Sequence, residues 1–136
     1  MLIYKNEYGK AEYEVNSKTL RTQYIGIAKT EPIIDLLGKV ILFAEEGKIR
    51  HMIANLTAMK GSFAGAMKFF ENEFYPHMIG NGLRTYAMAF SNDEVTRFAA
   101  LQLNLKVMGL LEWHAFASLD EAEIWTSTKI QELMKV

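Results

Sequence analysis

The spacing of hydrophobic residues along this chain changes in a regular way, and the changes predict alternating strands and helices. Residues 2–4 and 11–15 are short strand-like runs on either side of a turn at 6–9, which is typical of a hairpin. Residues 19–28 alternate between apolar and polar side chains and predict a third, half-buried strand. The amino-terminal part of the chain therefore predicts three strands joined by short turns, or two if the first two runs are not both strands.

Beyond residue 28, apolar residues recur at helical spacing in four stretches, and three strands separate them at 51–56, 83–90 and 112–117, the first of which is typical of a buried strand. Thr30, Ser91 and Ser118 stand where the first, third and fourth helices should begin, and each is suited to cap a helix. Pro76 lies within the second helix, which should kink or break near Tyr75 because proline lacks the N–H group of the helical ladder.

Strands that alternate with helices imply right-handed crossovers and parallel pairing, with helices on both faces of the sheet. The sequence thus predicts an α/β fold with a mixed, largely parallel sheet of about five strands, an antiparallel N-terminal hairpin and four helices. A length of 136 residues fits one domain of ordinary size, so we expect residues 1–136 to form a single domain.

Three stretches of the chain carry a resemblance to a known family. Residues 51–56 form a strand that runs into a polar loop at Thr57, and residues 74–84 read FYPHMIGNGLR, a proline-containing helix that ends at glycine. Residues 113–116 (WHAF) lead into SLDEA at 118–122 and then Trp125. Together they resemble the STAS-type domains of anti-sigma-factor antagonists, especially the SpoIIAA-like branch, which shares its fold group with the CRAL-TRIO lipid-transfer domains. The resemblance implies a non-enzymatic regulatory or protein-interaction domain.

The resemblance also points to a site after the strand at 51–56. In anti-sigma-factor antagonists a serine that follows an aspartate is phosphorylated at the start of the next helix. Here Asn55 stands in place of the acid, and Thr57 and Ser62 are both candidate phosphoacceptors. The carboxyl end of a parallel strand is also where ligands bind, beside a helix N-terminus that favours an anion. We therefore expect a ligand or partner loop formed by Asn55, Thr57, Lys60 and Ser62.

No residues in the sequence form a catalytic pattern. The three histidines, His51, His77 and His114, lack the local spacing of a metal site or of a base–nucleophile pair, and structural or surface roles are favoured for them. Neither a glycine-rich phosphate loop nor a nucleophile elbow is present. The sequence predicts no metal site and no cofactor, and an enzyme that uses one of the histidines is the least favoured alternative.

Charge and composition limit the partners. Fifteen basic and sixteen acidic residues alternate along the chain, so no basic stripe suits a nucleic acid. The apolar runs are far shorter than the roughly 20 residues that span a bilayer, and charge appears by Lys5, which does not fit a signal peptide. Without cysteine the chain suits a reducing compartment. We expect a cytoplasmic protein with no membrane span.

Two helices carry more apolar residues than one core-facing stripe needs, at 33–43 and at 101–111. Because a sizeable exposed apolar patch marks an interaction site, the excess predicts a homodimer through the first or the third helix, or a protein partner. The residues expected to face the core on the third helix are Val95, Phe98, Leu101, Leu105 and Met108. The alternative is a small apolar or anionic ligand, or a lipid, in an apolar pocket between sheet and helices beside Phe70, Phe74 and Trp113.

Overall fold

The computed structural model describes residues 1–45, 48–90, 92–107 and 109–134, which form a six-stranded sheet with helices. The strands lie in the sheet in the order in which they occur along the chain. The first three pair antiparallel and the remainder pair in parallel. This arrangement confirms the mixed sheet with an N-terminal hairpin. The strands are β1 (Leu2–Asn6), β2 (Gly9–Glu14), β3 (Thr19–Ile27), β4 (His51–Lys60), β5 (Thr85–Phe90) and β6 (Glu112–Phe116).

The four predicted helical stretches are all present. The first is α1 (Thr30–Phe43), the third is α4 (Glu94–Val107) and the fourth is α5 (Leu119–Met134). The second is composite, and its parts are a 3₁₀ turn (Ala64–Ala66), α2 (Met67–Phe69), a π turn (Phe70–Phe74) and α3 (Tyr75–Gly80). The π turn ends immediately before the turn that contains Pro76. The regular α-helix is thus interrupted next to the predicted position, although the chain remains helical through Tyr75 and is not broken there.

The order of the strands decides on which side the helices lie. Right-handed crossovers between successive neighbouring parallel strands place α1, the composite helix and α4 on one face, where the main core forms. The other face carries α5, whose Ala122 packs on Ile53, Ala87 and Ala89. Because α5 packs chiefly on β4, β5 and β6, the second face of β2 and β3 remains lined by charged side chains.

The helix α4 turns a different face to the core from the one that its sequence predicts. Small residues such as Ala99 and Ala100 are buried, together with Thr96, Leu103 and Val107, because they let the helix backbone approach the sheet closely. The residues predicted to face the core are exposed instead, and Met108 lies outside the described residues. The exposed fractions are 54% for Val95, 64% for Phe98, 47% for Leu101 and 64% for Leu105.

The strand predicted at 51–56 continues to Lys60, because β3 extends far enough to pair with it. Ala58 pairs with Ile25 and Lys60 pairs with Ile27. Since Gln23 pairs with Asn55, two steps along β3 correspond to three along β4, and β4 therefore contains a β-bulge at residues 56–57. The prediction of a loop from Thr57 onward is wrong for Thr57 and Lys60, which are strand residues.

Candidate functional site

The β-bulge fixes the side chains of Asn55 and Thr57 against each other. Asn55 Oδ1 accepts a hydrogen bond from the backbone N–H of Thr57 at 3.0 Å and another from the Thr57 hydroxyl at 2.6 Å. Thr57 is exposed, and Asn55 is half-buried. An asparagine at this position can thus hold the hydroxyl of Thr57 through a side-chain carbonyl, with no negative charge beside it.

Ser62 and Lys60 lie farther along the chain, where β4 ends. Both side chains are exposed. Ser62 Oγ accepts the backbone N–H of Ala64 at 3.0 Å, and the carbonyl of Lys60 accepts the N–H of Ala28 at 2.8 Å. Among the described contacts, none joins Lys60 or Ser62 to the pair of Asn55 and Thr57. The structure therefore divides the four predicted loop residues between the bulge and the turn that follows β4.

The turn that carries Ser62 is fastened to the beginning of α4. The carbonyl of its neighbour Gly61, which has a φ of 85°, accepts a hydrogen bond from the Thr96 hydroxyl. Asp93 Oδ1 accepts the N–H groups of Val95 and Thr96, each at 3.0 Å, and so caps α4. The pKa of Asp93 is below its usual value, mainly because the backbone N–H of Thr96 bonds to the carboxylate and also because that of Gly61 does. A change at Ser62 would thus be felt at the first turn of α4.

A pocket of about 160 Å³ lies beside Asn55, between the sheet and the first turns of α5. Arg21 crosses it and binds Glu123 at 2.9 Å and Glu14 at 2.8 Å, and the bond to Glu123 is the main reason that the pKa of Arg21 is raised. The volume is smaller than the 300–1,000 Å³ typical of ligand sites, and its charges already neutralise one another. This pocket offers no vacant charge to a ligand.

The largest exposed apolar surface on α4 is a single stripe, which we call the α4 stripe: Val95, Phe98, Leu101 and Leu105. Successive residues of a helix are about 100° apart, so these four lie on one side of α4, opposite its buried residues. The turn with Ser62 meets the amino-terminal end of the same helix. Sequence periodicity found these residues but assigned them to the core, because α4 is apolar on two opposite sides and hydrophobicity alone does not tell which side faces the sheet.

The predicted helix caps have three different outcomes. Ser118 caps α5 as predicted, since its Oγ accepts the N–H of Glu121 at 3.2 Å and donates to the Glu121 carboxylate at 3.1 Å. Thr30 is not a cap, because α1 begins at Thr30 itself and is preceded by Lys29, which makes no capping bond. Ser91 lies outside the described residues.

The three histidines lie in different surroundings. His51 is buried at the start of β4, and its Nδ1 is 2.7 Å from the Thr85 hydroxyl. His77 is exposed on α3, with its Nδ1 3.0 Å from the carbonyl of Glu73. His114 is exposed on β6 and packs its ring on Phe116 and Trp125. No described contact joins two of these histidines.

The residues proposed to line an apolar pocket belong to the packed core. Phe70 and Phe74 are 3% and 0% exposed, and Trp113 is 9% exposed, with its indole N–H bonded to the Tyr75 hydroxyl at 2.9 Å. The void beside Phe70 measures about 10 Å³, room for about one water molecule at most. In this conformation the core has no room for a lipid beside Phe70.

Comparisons with known proteins identify no family for this chain. No protein-family model matches the chain, and no curated protein matches it. Within the described residues, no group of three or more histidine, aspartate or glutamate side chains is placed to hold a metal ion. None of the described helices combines the length and the apolar character needed to cross a membrane.

Proposed function

We propose that this chain is a non-enzymatic regulatory domain of the STAS type that acts through protein contacts, and that the primary contact is with a second copy of itself through the α4 stripe. The observation that carries the proposal is the exposure of four large apolar side chains on one side of a helix whose other side is buried in the core. A contiguous apolar surface of this kind is stabilised by association.

The pattern of residues along α4 favours its own reversed copy as the partner. Positions 95 and 105 are symmetric about position 100, and so nearly are positions 98 and 101. In an antiparallel pair related by a two-fold axis, Val95 of one copy therefore meets Leu105 of the other, and Glu94 comes close to Lys106. Both charged residues are exposed, and Lys106 Nζ also lies 3.5 Å from Glu71 of its own chain. The macrodipoles of antiparallel helices also attract each other.

Regulation is proposed to enter through the turn after β4. A phosphate on Ser62 would add a charge of about −1.5 to −2 next to Gly61, whose backbone is bonded to Thr96 and Asp93 at the start of α4. Repulsion from the Asp93 carboxylate would displace the turn and disturb the adjoining end of the α4 stripe. Of the two candidate phosphoacceptors, Ser62 is the one that the described contacts couple to α4.

The mass of the protein in solution tests this proposal. Light scattering across a micromolar concentration series should give a dimer for the unmodified chain. The double variant Phe98→Ser/Leu101→Ser should be monomeric over the same range, because it removes the two central apolar side chains of the stripe. Leu42→Ser is the matched control, since Leu42 is 68% exposed on α1, the other helix that the sequence suggested.

The outcomes separate the two helices and the regulatory claim. A dimer that Leu42→Ser dissolves and the α4 double variant leaves intact would move the interface to α1 and contradict the proposal, as would a monomer at every concentration. Ser62→Glu should weaken the dimer, whereas Thr57→Glu, at the bulge and without a described contact to α4, should not. Equal effects of the two glutamates would remove the argument for Ser62.

A further inference from the structure

Three basic residues form a row at the amino-terminal edge of the sheet. Each directly precedes the first residue of a strand: Lys18 that of β3, Arg50 that of β4 and Arg84 that of β5. The backbone N–H of Arg50 donates to the carbonyl of Lys18 at 2.9 Å, and that of Arg84 donates to the carbonyl of Arg50 at 2.8 Å. Neighbouring strands are about 4.8 Å apart, so three positive side chains begin from adjacent positions. We call them the cation row.

The cation row is not paired with any carboxylate in the described part of the chain. All three side chains are exposed, and none of them forms an ion pair or a hydrogen bond there. By contrast, Arg21 and Lys129 each bind two carboxylates. Like charges on adjacent strands repel one another and lower stability, and a bound anion would remove that repulsion.

A groove of about 690 Å³ begins at Arg84, between the turn that precedes β5, the turn that precedes β6 and the end of α5. Its two carboxylates are engaged, since Lys129 binds Glu112 at 2.8 Å and Glu132 at 3.5 Å. In formal charge Arg84 and Lys129 thus balance the two carboxylates of the groove, and Arg84 is the one of these two cations that binds neither carboxylate among the described contacts. The apolar part of its lining consists of Ile79, Leu83, Leu110, Leu111 and Leu133.

We propose that the cation row and this groove together bind a phosphate ester that carries an apolar group. Arg50 and Arg84 hold the phosphate, because guanidinium groups match its oxygens in geometry and charge, and the apolar group occupies the groove beside Leu83 and Leu110. The groove volume lies within the 300–1,000 Å³ typical of small-molecule sites. This site is separate from the α4 stripe, and it lies at the opposite edge of the sheet from the predicted loop.

Octyl phosphate is a suitable probe. Inorganic phosphate is the control for the charged group alone, and the uncharged octyl glucoside is the control for the apolar chain alone. Nuclear magnetic resonance of the ¹⁵N-labelled chain should show amide shifts at Gly82, Arg84 and Leu110, and calorimetry gives the affinity. The double variant Arg50→Gln/Arg84→Gln should bind octyl phosphate at least tenfold more weakly, because it loses charge-assisted hydrogen bonds. The control Lys5→Gln/Lys68→Gln removes the same charge from exposed positions elsewhere and should bind normally.

Several results would overturn the site: no binding of octyl phosphate at millimolar concentration, amide shifts elsewhere, or equal losses in the two double variants. Octyl glucoside binding as tightly as octyl phosphate would also overturn it.

Vesicles of phosphatidylcholine with phosphatidic acid identify the source of the ester. Sedimentation with these vesicles that requires Arg50 and Arg84 supports a membrane lipid, and binding of octyl phosphate alone supports a free ester. None of these results depends on whether the α4 stripe forms a dimer.

Discussion

Tyrosine hydroxyls within the main core differ in whether they have a partner. The rings of Tyr75 and Tyr86 are 5.4 Å apart between centroids, and Tyr86 stacks on Trp113. Burial raises the pKa of both tyrosines far above the usual value, so both hydroxyls remain neutral. Tyr75 accepts the indole N–H of Trp113, whereas the Tyr86 hydroxyl lies close to that of Tyr75 but forms no hydrogen bond of good geometry in the described part of the chain. The two hydroxyls should therefore affect stability in opposite ways.

Tyr86→Phe should leave the free energy of unfolding unchanged or raise it by up to about 1 kcal/mol, because it removes an unpaired buried polar group. Tyr75→Phe should lower the free energy of unfolding by about 1–3 kcal/mol, because it leaves the Trp113 N–H buried without an acceptor. Urea denaturation measures both. A larger loss in Tyr86→Phe than in Tyr75→Phe would show that the hydrogen bonds of this cluster are assigned wrongly.

Burial, followed by the nearby charge of Arg50, lowers the pKa of His51 from its usual 6.5. Since the unfolded chain binds the proton more tightly than the folded chain, stability is complete above about pH 6.5 and falls as the pH drops through the lower folded pKa. Urea midpoints measured between about pH 7 and pH 5 should therefore decrease. His51→Gln should flatten this decrease, and an identical slope in the variant would assign the acid sensitivity to other groups.

Among the elements, α5 has the cap that is easiest to test. At its first turn Ser118 Oγ accepts the N–H of Glu121 and donates to the Glu121 carboxylate. Ser118→Ala should lower the free energy of unfolding by about 1 kcal/mol. Ser127→Ala is the matched control, because Ser127 is exposed within the same helix and alanine favours helix at such a position. If both variants unfold at the same urea concentration, the Ser118 cap contributes nothing measurable.

The same scale shows what could be predicted from the sequence. Short strand-like runs, alternation and buried apolar runs located every strand from β1 to β6, and Pro76 marked the place where a π turn interrupts the regular helix before α3. The end of β4 could not be located, because its last residues belong to the strand only through pairing with β3, a long-range contact that local spacing does not carry. The predicted orientation of α4 was wrong for a related reason. Small residues of this helix pack on the sheet, whereas several of its larger apolar residues are exposed.

At the scale of the whole molecule, one candidate site could be found from local sequence and another only from the fold. The pair of Asn55 and Thr57 was found from its position after a strand, although it sits at a bulge rather than in a loop. The cation row could not be found from the sequence, because Lys18, Arg50 and Arg84 are more than thirty residues apart and meet only through the parallel register of β3, β4 and β5. Evenly mixed charges along a chain thus conceal a local excess in the fold.

The absence of cysteine permits the most direct measurement of the proposed antiparallel contact, since any disulfide must come from an introduced residue. Leu101→Cys, close to the two-fold axis, should form a disulfide-linked dimer under mild oxidation. Val95→Cys and Leu105→Cys should cross-link much more efficiently when mixed than when each is oxidised alone, because antiparallel packing brings these two positions together. Leu42→Cys on α1 is the control and should stay monomeric. Cross-linking of Leu42→Cys as efficient as that of Leu101→Cys, or no preference for the mixed pair, would contradict an antiparallel dimer through α4.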